Sequence, residues 1–391
     1  MPKLLYLGEA CASTGFSRVT HSLLDRLFYS ENEDWDIHVI GVSYFGDPHP
    51  YDYKIYPAII GGDFLGVGRL RSLAEQIKPD VIVLHSDLWI IHEAAETVKD
   101  LGIPIVLYFP VDAESFVVQP ELLKPYHLVT YTQFGVDQLR QSGVEQSIDI
   151  LNLGVDTNTF YPIDRNIARE ALGLDPDSFI VLNANTNSPR KRIDLTIKGF
   201  REFAANRPNT KLHLHMELMT GWNIVALFEK EAIANGFDPQ GRLITSGNIN
   251  RIKQDGALPS QTLNLIYNAA NVMINTSEGE GWGLVAVEGA VCGVPQIVPG
   301  HTACRELFYH SETGILIDAE STRSDLQTLR EWSEVDQHLV AHAIKTVYEC
   351  DGQGDVELLV ENAYQKFTSP AYSWDAIAWQ FEEILLRSIE S

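Results

Sequence analysis

Basic residues and cysteines are scarce in this chain of 391 residues, and long apolar runs are missing. Lys and Arg number 29 against 53 Asp and Glu, giving a formal net charge of −24. That balance repels polyanions at long range, so nucleic-acid binding and adhesion to anionic lipid are excluded as first readings. The four cysteines, Cys11, Cys292, Cys304 and Cys350, lie far apart with no Cys-x-x-Cys pair. The usual argument for a zinc site or a disulfide framework is therefore absent, and a reducing compartment fits. The longest apolar candidates, IPIVLYFPV and DVIVLH, fall short of the roughly 18 residues a membrane helix needs. The opening MPKLLYLG has too short an apolar stretch for a signal peptide, so a cytoplasmic location is expected. No G-x-G-x-x-G follows the first apolar run, where LYLGEACASTG stands, which argues against a dinucleotide-dependent dehydrogenase.

With 45% hydrophobic and 21% charged residues, the chain can bury sizeable cores, and its length suits two or three domains. Short Val/Ile/Leu-rich runs alternate with segments of helical period, as when parallel strands are covered by helices on both faces. The pattern predicts strands over 3–8, 36–42, 80–85, 103–108, 128–131 and 148–151, with helices over 16–28, 65–77, 88–101 and 134–142. Residues 153–166, LGVDTNTFYPIDRN, have no period and read as a connection. The series then restarts, with strands over 179–184, 211–215, 242–246, 272–275, 296–298 and 314–317 and helices over 193–205, 223–235 and 261–269. Beyond 317 the chain reads as mostly helical, through 338–367 and a last helix over 374–391. The expected fold is α/β, two Rossmann-like domains over 1–162 and 163–371, facing across a cleft. In open sheets of this kind ligands collect at the carboxyl ends of the strands.

The most informative stretch is SEGEGWGLVAVEGAVCGVP, residues 277–295. Gly281 and Gly283 bracket Trp282 after a predicted strand, and an apolar helical segment follows that Gly293 and Pro295 terminate. A helix thus begins at a strand tip with glycines at its mouth, which makes a site for an anion or hydroxyl. Glu280 precedes the mouth and Glu288 lies more than a turn up the helix, so the two can grip different hydroxyls of one elongated ligand. Taken alone, the pair reads rather as a surface loop and a partly exposed helical Glu in salt bridges.

The whole stretch resembles the donor-site signature of retaining glycosyltransferases of the GT-B fold, family 4 (glycosyl transferases group 1) type. The matching residues are Ser277, Glu280, Gly281, Trp282, Gly283, Leu284, Glu288, Ala290, Cys292, Gly293, Val294 and Pro295. LGVDTNTFYP, YTQFGVDQLRQSGV, LIYNAANVMINTSE, ETGILID and SWDAIAWQFEEIL extend the likeness along nearly the full length. The resemblance implies that the closing helix, 372–391, crosses back to the first domain. It also implies that Glu288 holds the ribose hydroxyls of a nucleotide-diphosphate sugar, while Glu280 and the amides of Trp282, Gly283 and Leu284 hold the transferred sugar.

A diphosphate needs local positive charge, and the densest basic cluster is Arg190, Lys191 and Arg192, after the strand that opens the second domain. Lys191 matches the family lysine that contacts the donor phosphates. The family's Arg five or six residues earlier is replaced here by Asn185 and Thr186, which leaves Arg190 or Arg192 to supply the second charge. In the first domain Gly15 stands where the family has a Gly-rich loop near phosphates and acceptor, and Ser13 and Thr14 read equally as helix caps. Pro110 replaces a histidine found in many relatives, and Asp112 is the nearest polar substitute, read as a sugar or acceptor contact or as a loop cap. His85 is an acceptor-side candidate or a hydrogen-bonded strand-end residue. His213 with His215, Asp34 with Asp36 and Asp175 with Asp177 have dyad spacing, but no third ligand is in view, so no metal and no cofactor are assigned.

The expected activity is transfer from a nucleotide-diphosphate sugar to an acceptor hydroxyl with retention. A non-catalytic nucleotide-sugar sensor on the same fold is the alternative, motivated by the missing Arg and histidine. The early helix turns acidic at Glu31, Glu33 and Asp34, which favours a soluble sugar, metabolite or glycan acceptor over a membrane-bound one.

Overall fold

The computed structural model describes residues 1–12, 14–59, 61–234, 236–245, 260–325, 330–350 and 354–390. Two compact units make up the chain: Met1–Val111 with Ser115–Gly154 and Pro370–Ser391, and Asp112–Glu114 with Val155–Ser369.

The first unit is a seven-stranded sheet of β1 (Lys3–Glu9), β2 (Asp36–Val42), β3 (Lys54–Pro57), β4 (Val81–His85), β5 (Ile105–Phe109), β6 (His127–Thr130) and β7 (Ile148–Ile150). Every pairing is parallel, in the order β3-β2-β1-β4-β5-β6-β7. β1, β4 and β5 are near-continuous apolar runs because both faces are covered, and Leu4, Leu5, Leu7, Ile82 and Leu107 are fully buried. Helices α1 (Gly15–Phe28), α2 (Val67–Ile77), α3 (Leu88–Glu96), α4 (Pro120–Leu123) and α5 (Gln133–Gln141) connect the strands. Thr14 caps α1 by accepting from the Ser17 N–H at 3.1 Å, while Ser13 lies outside the described residues. α3 is shorter than its period suggests: it stops at Glu96, where Thr97 Oγ1 bonds back to the Ala94 carbonyl, and a 3₁₀ turn covers Lys99–Leu101. The edge strand β3 carries only the short, half-exposed KIYP and leaves no readable alternation.

The second unit opens with α6 (Arg165–Leu172), which the sequence reading did not predict, since it placed a connection over 153–166 and no element before 179. Its signals are local: Asp164 accepts from the Asn166 and Ile167 N–H groups, and Gly173 ends the helix at φ 67°. A six-stranded sheet follows, built from β8 (Phe179–Asn183), β9 (Thr210–Leu214), β10 (Leu243–Thr245), β11 (Val272–Ile274), β12 (Gln296–Pro299) and β13 (Ile315–Ile317). It too is parallel, in the order β10-β9-β8-β11-β12-β13. Helices α7 (Ile193–Ala204), α8 (Ile224–Ala234), α9 (Ser260–Asn268), α10 (Leu284–Val291) and α11 (Thr302–Leu307) cover it. Residues 235 and 246, at the ends of two expected elements, lie outside the described residues.

The expectation of mostly helical structure after 317 is corrected by an antiparallel hairpin, β14 (Ala319–Ser324) and β15 (Glu331–Val335). β14, AESTRS, is exposed throughout and has no apolar face to read, whereas β15 buries Trp332 and Val335. Helices α12 (Gln337–Cys350) and α13 (Gly354–Phe367) come next. The last helix, α14 (Trp374–Glu390), belongs to the first unit. There Glu382, 4% exposed, accepts from Trp35 Nε1 at 2.9 Å and from Asn32 Nδ2 at 3.2 Å, and Arg387 pairs with Asp149 at 3.1 Å. Among the described residues no helix is long and apolar enough to cross a membrane.

Candidate active site

Strand order reverses direction once in each sheet, between β1 and β4 in the first unit and between β8 and β11 in the second. At such a reversal the connections leave on opposite faces, opening a crevice beyond the carboxyl ends of the two strands. In the second unit the loop after β8 carries Arg190, Lys191 and Arg192, and the loop after β11 carries Glu278 and Glu280.

Those two loops are tied together through backbone and hydroxyl groups. Asn183, at the end of β8, donates to Thr196 Oγ1 at 2.9 Å, and the Thr196 and Thr276 hydroxyls meet at 2.8 Å. Thr276 Oγ1 donates to the Arg192 carbonyl at 2.9 Å, and the Glu278 N–H donates to the Arg190 carbonyl at 2.9 Å. The result is a contact between Lys191 Nζ and Glu280 Oε1 at 2.5 Å, with the side chains only 11% and 6% exposed. Asn275 Nδ2 donates to the same oxygen at 2.8 Å. Burial pushes the Lys191 ammonium below its ordinary value, with Arg190 adding and Glu280 opposing. Burial also works against the Glu280 carboxylate, but Lys191 and Arg190 outweigh it and hold its pKa below the ordinary range.

The arginines separate by geometry. Arg192 makes a two-pronged contact with Asp194 at 2.9 and 3.0 Å, reaches Glu278 at 3.3 Å and pairs with Glu334. Its charge is committed to three carboxylates. Arg190 instead lies along the Gly279–Glu280 segment, donating to the Gly279 carbonyl, with Asp112 at 3.5 Å. Asn185, in the position expected to lack charge, is buried and bonded to Asn183, so it contributes no cation. Asp112 stands between Arg190 and Arg330, 3.4 Å from the latter, so its observed partners are two guanidinium groups. A side chain at position 279 would run into the Asp112 carbonyl, so only glycine admits this approach.

Gly281, Trp282 and Gly283 form the bend between Glu280 and α10. Gly283 is the residue before the helix at φ 96°, a left-handed conformation glycine adopts without strain. Leu284 is the first residue of α10, and Trp282 is 3% exposed. Glu288 sits inside a helix buried on all sides, where it accepts from the Tyr267 hydroxyl at 2.9 Å, and is 2% exposed. The Glu280 backbone is fixed by the next strand connection: its N–H donates to Thr302 Oγ1 at 3.1 Å and its carbonyl accepts from Ala303 at 3.2 Å. Thr302 holds φ 49° and Arg192 φ 46°, conformations uncommon for side-chain-bearing residues and costly for a β-branched one. Both strained residues border the Lys191–Glu280 contact.

Other sequence candidates fall elsewhere. Gly15 is the first residue of α1, at the β1–β4 reversal of the first unit. His85 is fully buried at the end of β4, its Nδ1 meeting the Tyr6 hydroxyl and its Nε2 the Tyr131 hydroxyl, each at 2.6 Å. Burial lowers its pKa to about 3, so the ring is neutral and both nitrogens are engaged. His213 and His215 meet edge to face at 6.1 Å, Asp36 pairs with His38 at 3.1 Å, and Asp175 accepts from the Ser178 hydroxyl at 2.6 Å. Sequence reasoning missed Glu278, His301, Thr302, Arg330 and Glu334. Of these only Glu278 lay in a recognised motif; the others come from a strand connection and a hairpin whose proximity to the loop is tertiary.

A family model described as glycosyl transferases group 1 matches residues 229–346. The D-inositol 3-phosphate glycosyltransferase of Segniliparus rotundus is 26% identical over 260 residues, 61% of this chain and 55% of that protein. The enzyme of the same name from a Nocardioides species is 23% identical over 68% of this chain and 63% of its own length. The chain thus spans about half the length of the curated relatives it matches. Among solved structures, the sucrose-phosphate synthase of Thermosynechococcus elongatus superposes with a TM-score of 0.75 at 17% identity, over 99% of this chain and 98% of that one. The Anabaena protein HepE, solved with UDP-glucose, gives 0.72 at 16%, over 99% of this chain and all (100%) of that one. The segment from α8 to α12 thus matches the group 1 glycosyl transferase family, and the chain shares the GT-B fold of these solved structures end to end.

Proposed function

We propose that the chain transfers a glycosyl group from a nucleotide-diphosphate sugar to an acceptor hydroxyl, with retention at the anomeric carbon, as family 4 type enzymes do. The observation that carries this reading is the Lys191–Glu280 contact of 2.5 Å between the loops that follow β8 and β11. It puts a buried cation and a carboxylate that resists protonation at the strand-order reversal, where an anionic, hydroxyl-rich ligand is best held. HepE, solved with UDP-glucose, has the same fold.

In this reading Lys191 and Arg190 face the diphosphate, and Glu280 with the amides of Trp282, Gly283 and Leu284 takes the transferred sugar. Glu288, oriented by Tyr267, accepts the ribose hydroxyls. The bond from the anomeric carbon to the diphosphate oxygen breaks as the acceptor oxygen bonds to the same face. The acceptor's proton passes to the departing phosphate oxygen. Lys191 and Arg190 stabilise the charge that develops there, which is an electrostatic and positional form of catalysis. Glu280 Oε1 is held by both Lys191 and Asn275, which makes it an acceptor for sugar hydroxyls and a poor nucleophile. The acceptor is a soluble hydroxylated metabolite, sugar or glycan, handled in the cytoplasm.

Thermal unfolding with UDP-, GDP- and ADP-sugars tests donor binding, since a ligand bound only by the native state raises the melting temperature. One nucleotide series should stabilise the protein, and the anomeric signal of the product by NMR should match the donor's. No shift with any series sinks the donor assignment, and an inverted product sinks retention alone.

A further inference from the structure

His301 ends the connection that follows β12 and immediately precedes α11. It is 4% exposed, and neither ring nitrogen finds a hydrogen-bond partner among the described residues. Buried polar groups are nearly always satisfied, so a ring with two open positions points to a group that arrives from outside. Its neighbours define where. Thr302, next in the chain and strained at φ 49°, accepts from the Glu280 N–H, and Ala303 donates to the Glu280 carbonyl. Cys304 Sγ would be 3.7 Å from a Cβ placed on Gly283, so this short segment wraps the loop from Glu280 to the mouth of α10. Burial lowers the His301 pKa to about 4, with the Glu280 charge opposing, which leaves the ring neutral near pH 7.

A neutral imidazole offers one N–H donor and one acceptor. Phosphate oxygens only accept, and so complete one nitrogen at most. A sugar hydroxyl both donates and accepts, and neighbouring hydroxyls complete both. We propose that His301 is a donor-sugar contact, completed by hydroxyls of the saccharide seated against Glu280, and that it sets selectivity for the sugar rather than affinity for the nucleotide. This rests on the donor-site reading given above and assigns a residue that neither the sequence motif nor the Lys191–Glu280 contact includes.

The test compares binding of three probe pairs by calorimetry: UDP-glucose with UDP, GDP-mannose with GDP, and ADP-glucose with ADP. The variants are His301→Phe, which keeps the ring volume and removes both nitrogens, and His301→Gln, which restores one donor and one acceptor. For the pair that the wild-type protein binds, His301→Phe should weaken the nucleotide sugar roughly tenfold, the scale of a buried hydrogen bond, while nucleotide affinity stays within about twofold. His301→Gln should recover part of the loss. Equal weakening of sugar and bare nucleotide, or no weakening of either, overturns the proposal. If His301→Phe does not fold, His301→Gln decides: an unchanged ratio of nucleotide-sugar to nucleotide affinity, with an unchanged rank order among the sugars, overturns it. Failure of the wild-type protein to bind any pair would instead overturn the donor reading itself.

Discussion

Lys191 and Glu280 each occupy surroundings that oppose an isolated charge, and each keeps the other ionised. Removing one member of a buried pair leaves an uncompensated ion, which typically costs about 3–5 kcal/mol, whereas replacing both is far better tolerated. Lys191→Met and Glu280→Gln should therefore each lower the melting temperature. The double variant should regain most of it, while turnover stays depressed by about 10² to 10³ in all three. A double variant that recovers turnover along with stability would reduce the pair to a structural brace. The direction of the Lys191 shift adds a second expectation. Because burial lowers its pKa, the ammonium loses its proton at a pH below the ordinary lysine value of 10.5. The kcat/KM for the nucleotide sugar should then fall on the alkaline side as Lys191 becomes neutral, and Lys191→Arg should move that limb to higher pH. An alkaline limb unmoved in Lys191→Arg assigns it to another group.

At the scale of elements, the turn after β8 and the hairpin β14–β15 divide the basic cluster between two tasks. Arg192 links Asp194 on α7, Glu278 in the loop after β11 and Glu334 on β15. Arg323 on β14 also meets Glu278 at 2.9 Å, but more than half of its side chain is exposed and the pair contributes little. Arg190 follows the Glu280 loop instead. Arg192→Met should thus destabilise the fold by a few kcal/mol, since it strands buried carboxylates. Arg190→Met should leave the melting temperature within a few degrees and weaken the nucleotide-sugar complex several-fold. Paired unfolding and binding measurements separate the two, and the reverse pattern would mean that Arg192 carries the ligand charge. The hairpin escaped the sequence reading because β14 is polar and exposed on every residue, so it has no period to detect. What holds it is the burial of Trp332 and Val335 on β15 together with contacts from Arg192 and Glu278 in distant loops, which no local pattern records.

At the scale of the whole chain, α14 is the element that returns to the first unit after the second has been completed. Asp149 accepts from His127 at 2.6 Å and pairs with Arg387 of α14, and these contacts hold its carboxyl below the ordinary range. A carboxylate with a lowered folded pKa stabilises the fold above its unfolded value of about 3.9, and that contribution disappears as pH falls through the lowered value. The melting temperature should therefore drop more steeply below pH 4 in the wild-type protein than in Asp149→Asn, with the two curves converging at the acid end. Parallel curves across that window would remove α14 docking from the acid response. The sequence alone determined the alternation of apolar strands and amphipathic helices, because burial on both faces writes itself into the central strands of each sheet, and it singled out the glycine-framed mouth of α10, whose bend requires those residues. It did not reveal α6 or β3, which are short and marked only by caps or a polar edge. Only the tertiary structure decided that Lys191 meets Glu280, that Arg190 and not Arg192 follows the Glu280 loop, and that His301 adjoins it. Those residues are brought together by strand order, and strand order depends on how whole helices pack across a sheet, a long-range outcome that no window of neighbouring residues contains.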